Sequence, residues 1–318
     1  MKQEIGGYLE FEHFTGKSYH EGAYAFNLGR TALAWLLEKL NCSKLYAPYY
    51  NCDSVANTAM AAGFDVEFFH IDEDLRPVFD EGFCLGENEW IYLINYYGQL
   101  TADEIRDYQK RFGRIIVDNA QGYFDQPLDG IHTLYSCRKF LGVSDGAYLY
   151  TDLDFDETLP RDMSGERVRY LFGRLEENAR TYYSQMLAES DKFAHAKPMK
   201  MSLLTENILR GIDDEAVRTR RLANYRTLAE LLPSDNPFTK KEPFGPFAYP
   251  FYHENGVELR KKLAAENIFI PTNWSYLLKT MPEDSLEYQW SANILPLPVD
   301  QRYTDEEMTY LANRIKRF

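Results

Sequence analysis

Short apolar runs alternate with helical segments from residue 31 to residue 151, and this alternation restricts the fold more than any other feature of the chain. Strands that alternate with helices form a largely parallel sheet with helices packed against it. The sequence therefore predicts an α/β fold, with Thr101 as the N-cap of its helix. The predicted strands are residues 44–48, 66–71, 90–96, 114–117, 132–135 and 147–151, and the predicted helices are residues 31–40, 53–63 and 101–112.

The rest of the chain predicts three further parts. Residues 1–22 read as an N-terminal arm or a short strand with turns. Residues 164–231 are helical in pattern, so the large domain is expected to extend over residues 23–232. A small C-terminal α/β domain is expected over residues 233–318. Its predicted strands are residues 247–253 and 269–271, and its predicted helices are residues 257–266 and 304–317.

Charge and cysteine content exclude several classes of function. The formal net charge is −14, whereas proteins that bind nucleic acid or an anionic membrane need a basic face. The four cysteines have no CxxC spacing and no histidine cluster, so no metal site is expected. The N-terminus lacks the apolar segment of a secretion signal and no apolar run approaches the length of a membrane span, which predicts a cytoplasmic protein.

Two charged residues are candidates for chemistry, and the first follows a predicted strand, where open α/β sheets bind their ligands. Asp118 ends an apolar run, and Lys139 precedes a turn of small residues at 142–147. A lysine forms a Schiff base with the aldehyde of pyridoxal 5′-phosphate (PLP), and an acid keeps the pyridine nitrogen of this cofactor protonated. The pair indicates a PLP site. Taken alone, Asp118 is also explained as a helix N-cap and Lys139 as a solvated surface lysine.

A glycine turn is the third candidate element. Gly29 opens directly onto the first large helix, whose free N–H groups and positive dipole end suit a phosphate group. Arg30 and Thr31 add a charged and a hydroxyl donor. Ordinary helix capping is the alternative explanation. The order of the three elements along the chain is more specific than any one of them.

The motifs around these residues resemble those of the DegT/DnrJ/StrS-type sugar aminotransferases, which are fold-type-I PLP enzymes. VDNAQ at residues 117–121 resembles the family's acid-x-Ala-His/Gln motif, and KFLGVSDGA at residues 139–147 resembles its Lys-Asn-Leu…Gly-Glu-Gly-Gly run without gaps. LGRTAL at residues 28–33 resembles the phosphate turn, and INYYGQ at residues 94–99 resembles the segment before the acid motif. The resemblance implies a large PLP-binding domain followed by a small α/β domain.

The resemblance also implies roles for individual residues. Asp118 pairs with the pyridine nitrogen, Gln121 lies near the ring hydroxyl, and Lys139 is the Schiff-base lysine that transfers protons at the substrate. Arg302 is suited to a donor carboxylate, with a salt bridge in a structural turn as the alternative. The other candidate contacts are Gly29, Arg30, Thr31, Tyr50, Cys52, Ser136 and Arg138 for the cofactor and Tyr97 and Asn273 for the substrate.

Three positions near the expected cofactor depart from the family pattern. Arg30 replaces the threonine of the phosphate turn, and Cys52 stands where the family has a ring-stacking aromatic residue. Leu134 stands where the family has a phosphate-contacting serine, for which Ser136 and Arg138 are possible substitutes. Either tyrosine at residues 49–50 is an alternative stacking residue.

Lysine at position 139 favours transamination, because sugar dehydratases of this family carry histidine there. The resemblance therefore implies a homodimeric aminotransferase that moves an amino group to a keto-sugar, nucleotide-linked, in surface polysaccharide or secondary-metabolite synthesis. The donor by family habit is L-glutamate. The departures leave two alternatives: a PLP-fold binding or regulatory protein that has lost catalysis, and a PLP transaminase of a non-nucleotide substrate.

Overall fold

A seven-stranded sheet forms the centre of the computed structural model, which describes residues 5–155, 157–233, 236–239 and 241–318. The strand order is β1-β7-β6-β5-β4-β2-β3, and the five strands from β3 to β6 in this order are parallel. The predicted α/β fold with a mostly parallel sheet is confirmed. The strands are β1 (Tyr24–Phe26), β2 (Lys44–Pro48), β3 (Asp65–Phe69), β4 (Glu89–Ile94), β5 (Ile115–Asp118), β6 (His132–Ser136) and β7 (Ala147–Tyr150).

Strand direction brings several chain segments to one edge of the sheet. β7 runs antiparallel to β6, and β1 runs antiparallel to β7, so β1 points the same way as the parallel strands. The carboxyl ends of β1, β2, β4, β5 and β6 therefore meet at the same edge. Open α/β sheets bind their ligands at this edge.

The helices begin and end close to the predicted positions. Thr101 caps its helix as predicted: its side chain accepts from the N–H of Glu104 at 3.2 Å, and the Glu104 carboxylate accepts from the Thr101 N–H at 2.7 Å. The helices are α1 (Gly29–Lys39), α2 (Asp53–Ala61), α3 (Ala102–Phe112), α4 (Arg169–Glu176), α5 (Ala179–Lys192), α6 (Leu203–Arg210), α7 (Asp214–Leu231), α8 (Gly256–Ala265), α9 (Leu277–Thr280), α10 (Leu286–Asn293) and α11 (Asp305–Ile315).

The segment at residues 164–231 is less helical than its pattern predicts. Residues 196–202 are not helical, and Lys200 forms isolated bridges with Phe26 and Arg161. Pro198 accounts for part of the difference, because proline cannot donate the backbone hydrogen bond of a helix interior. The extended segment instead pairs in the antiparallel direction with the end of β1. Among the helices of the described residues, none has both the length and the apolarity to cross a membrane.

A small antiparallel pair, β8 (Ala248–Tyr252) and β9 (Ile294–Pro298), lies in the C-terminal region. Its side chains pack with those of α7, α8 and α11 into a core of their own. The strand predicted at residues 269–271 is wrong, since those residues form no ladder. Pro271 has no N–H to contribute to one. β9 was not predicted because prolines at positions 296 and 298 argue against a strand.

Candidate active site

The acid predicted at the end of β5 is held in a fixed orientation. Asp118 is 9% exposed; its Oδ2 accepts from the Tyr92 hydroxyl at 2.8 Å, and its Oδ1 accepts from the Ala120 N–H at 2.7 Å. Burial and the neighbouring carboxylate raise the pKa of Tyr92 well above its usual range, so the phenol stays a proton donor. The sequence analysis missed Tyr92, because only the register between β4 and β5 brings it beside Asp118.

Gln121 lies three residues beyond Asp118 and is buried. Its Oε1 accepts from the Tyr97 N–H at 2.8 Å, while its side-chain NH₂ group has no hydrogen-bond partner among the described residues. The NH₂ group is therefore available to a ligand. Tyr97 has a φ of +54°, in the left-handed region that non-glycine residues seldom adopt, and the hydrogen bond from its N–H to Gln121 supports this conformation.

Two of the predicted substrate residues lie in contact with each other. Asn273 Nδ2 donates to the Tyr97 hydroxyl at 3.1 Å. The Tyr97 side chain is fully buried, so its hydroxyl faces the segment that carries Asn273 rather than solvent. The contact joins the end of β4 to the C-terminal region of the chain.

The first turn of α1 has the free N–H groups that a phosphate site needs. Leu28, at the N-cap, makes no side-chain capping bond, and the turn contains no acidic residue. The side chain of Arg30 is half-buried, which lowers its pKa, and the positive charge of Arg138 adds to this effect. Neither guanidinium forms an ion pair with a described residue. By contrast, the fully buried Thr31 bonds through its hydroxyl to Asn27 Oδ1 at 2.6 Å.

The residues that follow β2 divide into buried and partly exposed ones. Tyr50 is fully buried, and its ring packs edge-on against Trp274 with the centroids 4.3 Å apart. Tyr49 stacks on Phe68 of β3, which is the outer strand. Cys52 is partly exposed at the N-cap of α2, close enough to Arg30 and Tyr92 to influence the pKa of both.

The predicted lysine ends a short 3₁₀ turn after β6. Lys139 is exposed, and its Nζ lies 5.8 Å from the centre of the Phe247 ring. No described residue forms a hydrogen bond or an ion pair with this amine. Arg138, next to it, lies over the Phe193 ring at 4.4 Å. The hydroxyl of Ser136, at the end of β6, also has no described partner.

Glycine at position 146 closes the small-residue turn. Gly146 has a φ of +115°, which disfavours any side chain there. Its N–H donates to the Asn27 carbonyl at 2.5 Å, directly before the glycine turn of α1. The preceding Asp145 is fully buried and accepts from the N–H of Ser202 at 2.8 Å. The turn after Lys139 is therefore tied both to α1 and to the start of α6.

Arg302 occupies the salt-bridged turn that was its alternative explanation. Its Nε donates to Asp300 Oδ1 at 2.6 Å and its Nη2 donates to Asp300 Oδ2 at 2.8 Å, which lowers the pKa of Asp300 against the effect of burial. The neighbouring Gln301 points differently: its Nε2 donates to the carbonyl of Phe140 at 2.9 Å, one residue after Lys139. The sequence analysis missed Gln301.

The solved structures most similar to this chain include several aminotransferases. DesV from S. venezuelae is 18% identical with a TM-score of 0.64, over 93% of this chain and 84% of that one. Spr1654 from Streptococcus pneumoniae, assigned as a sugar aminotransferase, is 15% identical with a TM-score of 0.62, over 93% and 86% of the two chains. A DegT/DnrJ/EryC1/StrS aminotransferase from Brucella abortus is 15% identical with a TM-score of 0.59, over 93% and 85%.

These similarities confirm the predicted resemblance at the level of the fold. All three span nearly the whole chain, including the C-terminal region in which the motifs are sparse. No protein-family model matches the sequence, and no curated protein matches it either.

Proposed function

We propose that the chain is a PLP-dependent aminotransferase that moves an amino group from an amino acid to a keto-sugar. One observation carries the proposal. A buried carboxylate, two guanidinium groups that form no ion pair with a described residue and an exposed amine lie at or follow the ends of strands whose carboxyl ends share one sheet edge. These groups belong to Asp118, Arg30, Arg138 and Lys139.

The residues at this edge fit the chemistry of the cofactor. The ring nitrogen of PLP needs an acid, its phosphate needs cations and N–H groups, and its ring hydroxyl accepts a donor. Asp118, the first turn of α1 with Arg30 and Arg138, and the free NH₂ group of Gln121 supply these functions. When bound, PLP supplies an electron sink for bonds at the amino carbon of the substrate.

Lys139 performs two tasks in this proposal. Its amine would hold PLP covalently through the cofactor aldehyde, with loss of water, and once released by the donor amine it would carry protons at the substrate carbon. Its lack of described hydrogen bonds leaves the amine free to move between these positions. Asp118 remains fixed by Tyr92 throughout.

The acceptor is proposed to be a keto-sugar, nucleotide-linked, and the donor L-glutamate. Support for a sugar acceptor comes from the similar structures, which include PseC of Helicobacter pylori, an aminotransferase of pseudoaminic acid biosynthesis, at 15% identity and a TM-score of 0.60 over 93% of this chain and 86% of that one. The nucleotide linkage and the donor are proposed from the sequence resemblance alone. A role in surface polysaccharide or secondary-metabolite synthesis is proposed on the same resemblance, and a cytoplasmic location is proposed from the sequence.

We also propose that two copies of the chain associate. The arm and the α4–α5 pair expose large apolar side chains, as expected of surfaces that are covered in an assembly. Light scattering coupled to size exclusion tests this expectation, and a monomer at micromolar concentration contradicts it. The exposed residues are Ile5, Tyr8, Leu9, Phe172, Leu175, Tyr183 and Leu187.

The decisive experiment is an absorption spectrum with added PLP, before and after L-glutamate. A new visible band that bleaches with glutamate supports the cofactor, the lysine and the donor together. If the band persists with glutamate but bleaches with another amino acid, only the proposed donor has to be revised. A panel of keto-sugars and keto-acids then separates a nucleotide-linked acceptor from the non-nucleotide alternative.

A PLP-fold binding or regulatory protein that has lost catalysis is the second candidate function. The partly exposed Cys52 favours it, because a thiol replaces the stacking ring of the family at this position. A stable visible band that no amino acid bleaches supports this candidate. Absence of any band contradicts the aminotransferase and favours a binding or regulatory protein that has also lost the cofactor.

A further inference from the structure

A buried guanidinium lies beneath the lysine turn. Arg221 of α7 is 2% exposed and forms no ion pair with a described residue. Burial lowers its pKa to about 10, while the nearby Asp300 opposes this effect and Arg302 adds to it. An unpaired buried charge is costly, so the hydrogen bonds that replace its carboxylate partner indicate what the residue does.

Those hydrogen bonds connect chain segments that are distant in sequence. Arg221 Nη2 donates to the Phe140 carbonyl at 2.9 Å, and Nη1 donates to the carbonyls of Pro246 at 3.1 Å and Phe247 at 3.4 Å. Its Nε donates to Gln301 Oε1 at 2.9 Å. The planar fork of arginine makes all of these bonds at once, which a lysine ammonium does not reproduce.

Two of the carbonyls that accept from Arg221 belong to residues next to Lys139 in the chain or in space. Phe140 directly follows Lys139, and the Phe247 ring lies under its ammonium group at 5.8 Å. Gln301, oriented by Arg221, donates a second hydrogen bond to the Phe140 carbonyl at 2.9 Å. The backbone after the lysine and the backbone that carries the Phe247 ring are therefore bonded to the same guanidinium.

We propose that Arg221 and Gln301 are positioning residues for Lys139: together they fix the Phe140 carbonyl and the Phe247 backbone, and so set the direction of the lysine side chain. The proposal rests on the proposed function of Lys139. A purely structural role of Arg221, in which it only packs α7 against the turn, would affect the free energy of unfolding. It would leave the reactivity of Lys139 in the folded protein unchanged.

The test compares variants of Arg221 and Gln301 with a matched control. Arg221→Met and Arg221→Lys remove the fork, and Gln301→Glu keeps an acceptor for Arg221 but removes the donor to Phe140. Arg220→Gln is the control, since Arg220 is the next residue on α7 and pairs with Asp305 at the surface at 3.0 Å. Each protein is mixed with PLP, the rate of covalent linkage is followed by absorbance, and borohydride reduction with peptide mass spectrometry locates the modified lysine.

We expect linkage at Lys139 to slow roughly tenfold to a hundredfold in both Arg221 variants, the range in which misplacement by about 1 Å acts. Gln301→Glu should slow it about tenfold although the new ion pair preserves folding. Arg220→Gln should match the wild type. Folded Arg221→Met protein that reacts at the wild-type rate overturns the proposal; if that variant does not fold, wild-type kinetics in Gln301→Glu overturn it.

A cofactor-independent measurement separates this proposal from the proposed function. Brief acetylation with acetic anhydride, read by peptide mass spectrometry, reports the reactivity of Lys139 against the other lysines without any PLP. If the wild type fails to link PLP, the proposed function fails. The positioning proposal then still requires that Gln301→Glu and Arg221→Lys change Lys139 acetylation while Arg220→Gln does not, and unchanged acetylation refutes it.

Discussion

The two halves of the candidate site are held in place by different means. In the acid half, Asp118 is bonded by Tyr92 of the adjacent strand and by the N–H of Ala120, two residues further on. In the lysine half, Lys139 has no described hydrogen bond, and the carbonyl after it is held by residues 81 and 161 positions away. The acid is therefore part of the sheet, whereas the lysine depends on the packing of the C-terminal region.

Removing the lysine amine should give the largest effect. Lys139→Ala should abolish covalent attachment of PLP, while the free energy of unfolding changes by less than about 0.5 kcal/mol because the side chain is exposed. Borohydride trapping and urea unfolding measure the two quantities. Retained attachment would refute the assignment of Lys139.

Neutralising the acid half comes next. Asp118→Asn keeps an acceptor for Tyr92 but removes the negative charge, so the rate of the donor half-reaction should fall roughly 100-fold to 1000-fold. Bleaching of the bound cofactor by L-glutamate measures this rate. A wild-type rate would show that the acid half is not used.

Acid should weaken the lysine half through His20. This residue is 1% exposed, its ring lies 4.7 Å from that of Tyr123, and Tyr123 lies 5.5 Å from Phe140. Burial lowers the pKa of His20 to about 4. Between this pH and about pH 6.5, the unfolded chain therefore binds a proton at His20 while the folded protein does not. The contribution of His20 to the free energy of unfolding is fully present above about pH 6.5, and the free energy of unfolding should fall by about 3 kcal/mol toward pH 4.

Urea unfolding across this pH range tests the histidine. His20→Gln keeps a donor for the Tyr123 carbonyl and cannot titrate, so its stability should decrease less between pH 6.5 and pH 4. An identical decrease in the variant would assign the acid sensitivity to other groups.

The phosphate contact should contribute a smaller effect. Arg30→Gln should weaken PLP binding by about 2 kcal/mol, as expected for a hydrogen bond to a charged group. Binding of pyridoxal, which lacks the phosphate, should not change. Equal losses for the two ligands would mean that Arg30 supports the fold rather than the phosphate.

The smallest effect is expected from loss of the hydrogen bond between Tyr92 and Asp118. Tyr92→Phe removes one hydrogen bond to Asp118, which is worth about 1 kcal/mol, so the donor half-reaction should slow only about fivefold. The same bleaching assay measures it. A loss as large as that of Asp118→Asn would mean that the phenol does more than orient the carboxylate.

The contrast between the halves also explains why some residues of the candidate site could be predicted from the sequence and others could not. Apolar runs mark buried strands, so the position of Asp118 at the end of β5 could be read locally. Tyr92 could not be identified, since it requires the strand register. Arg221 and Gln301 are marked by no local pattern, because their role arises when α7 and the end of β9 pack against the lysine turn.

Strand β1 escaped prediction for a different reason. It has only three residues, Tyr24–Phe26, which are too few for a period to be visible. Its prediction depends on its partner β7 and on the segment around Lys200.

The parallel direction of the central strands has a practical consequence for protein engineering. Asp118, Arg30, Arg138 and Lys139 lie at or follow strand ends at the carboxyl edge, so the opposite edge offers attachment points remote from them. Three exposed glycines with φ values of +89°, +77° and +73° precede β3, β5 and β6 at that opposite edge. Gly63, Gly113 and Gly130 thus mark the turns where an affinity tag, a fluorophore or a surface tether can be inserted to immobilise the protein with its candidate site facing the solution.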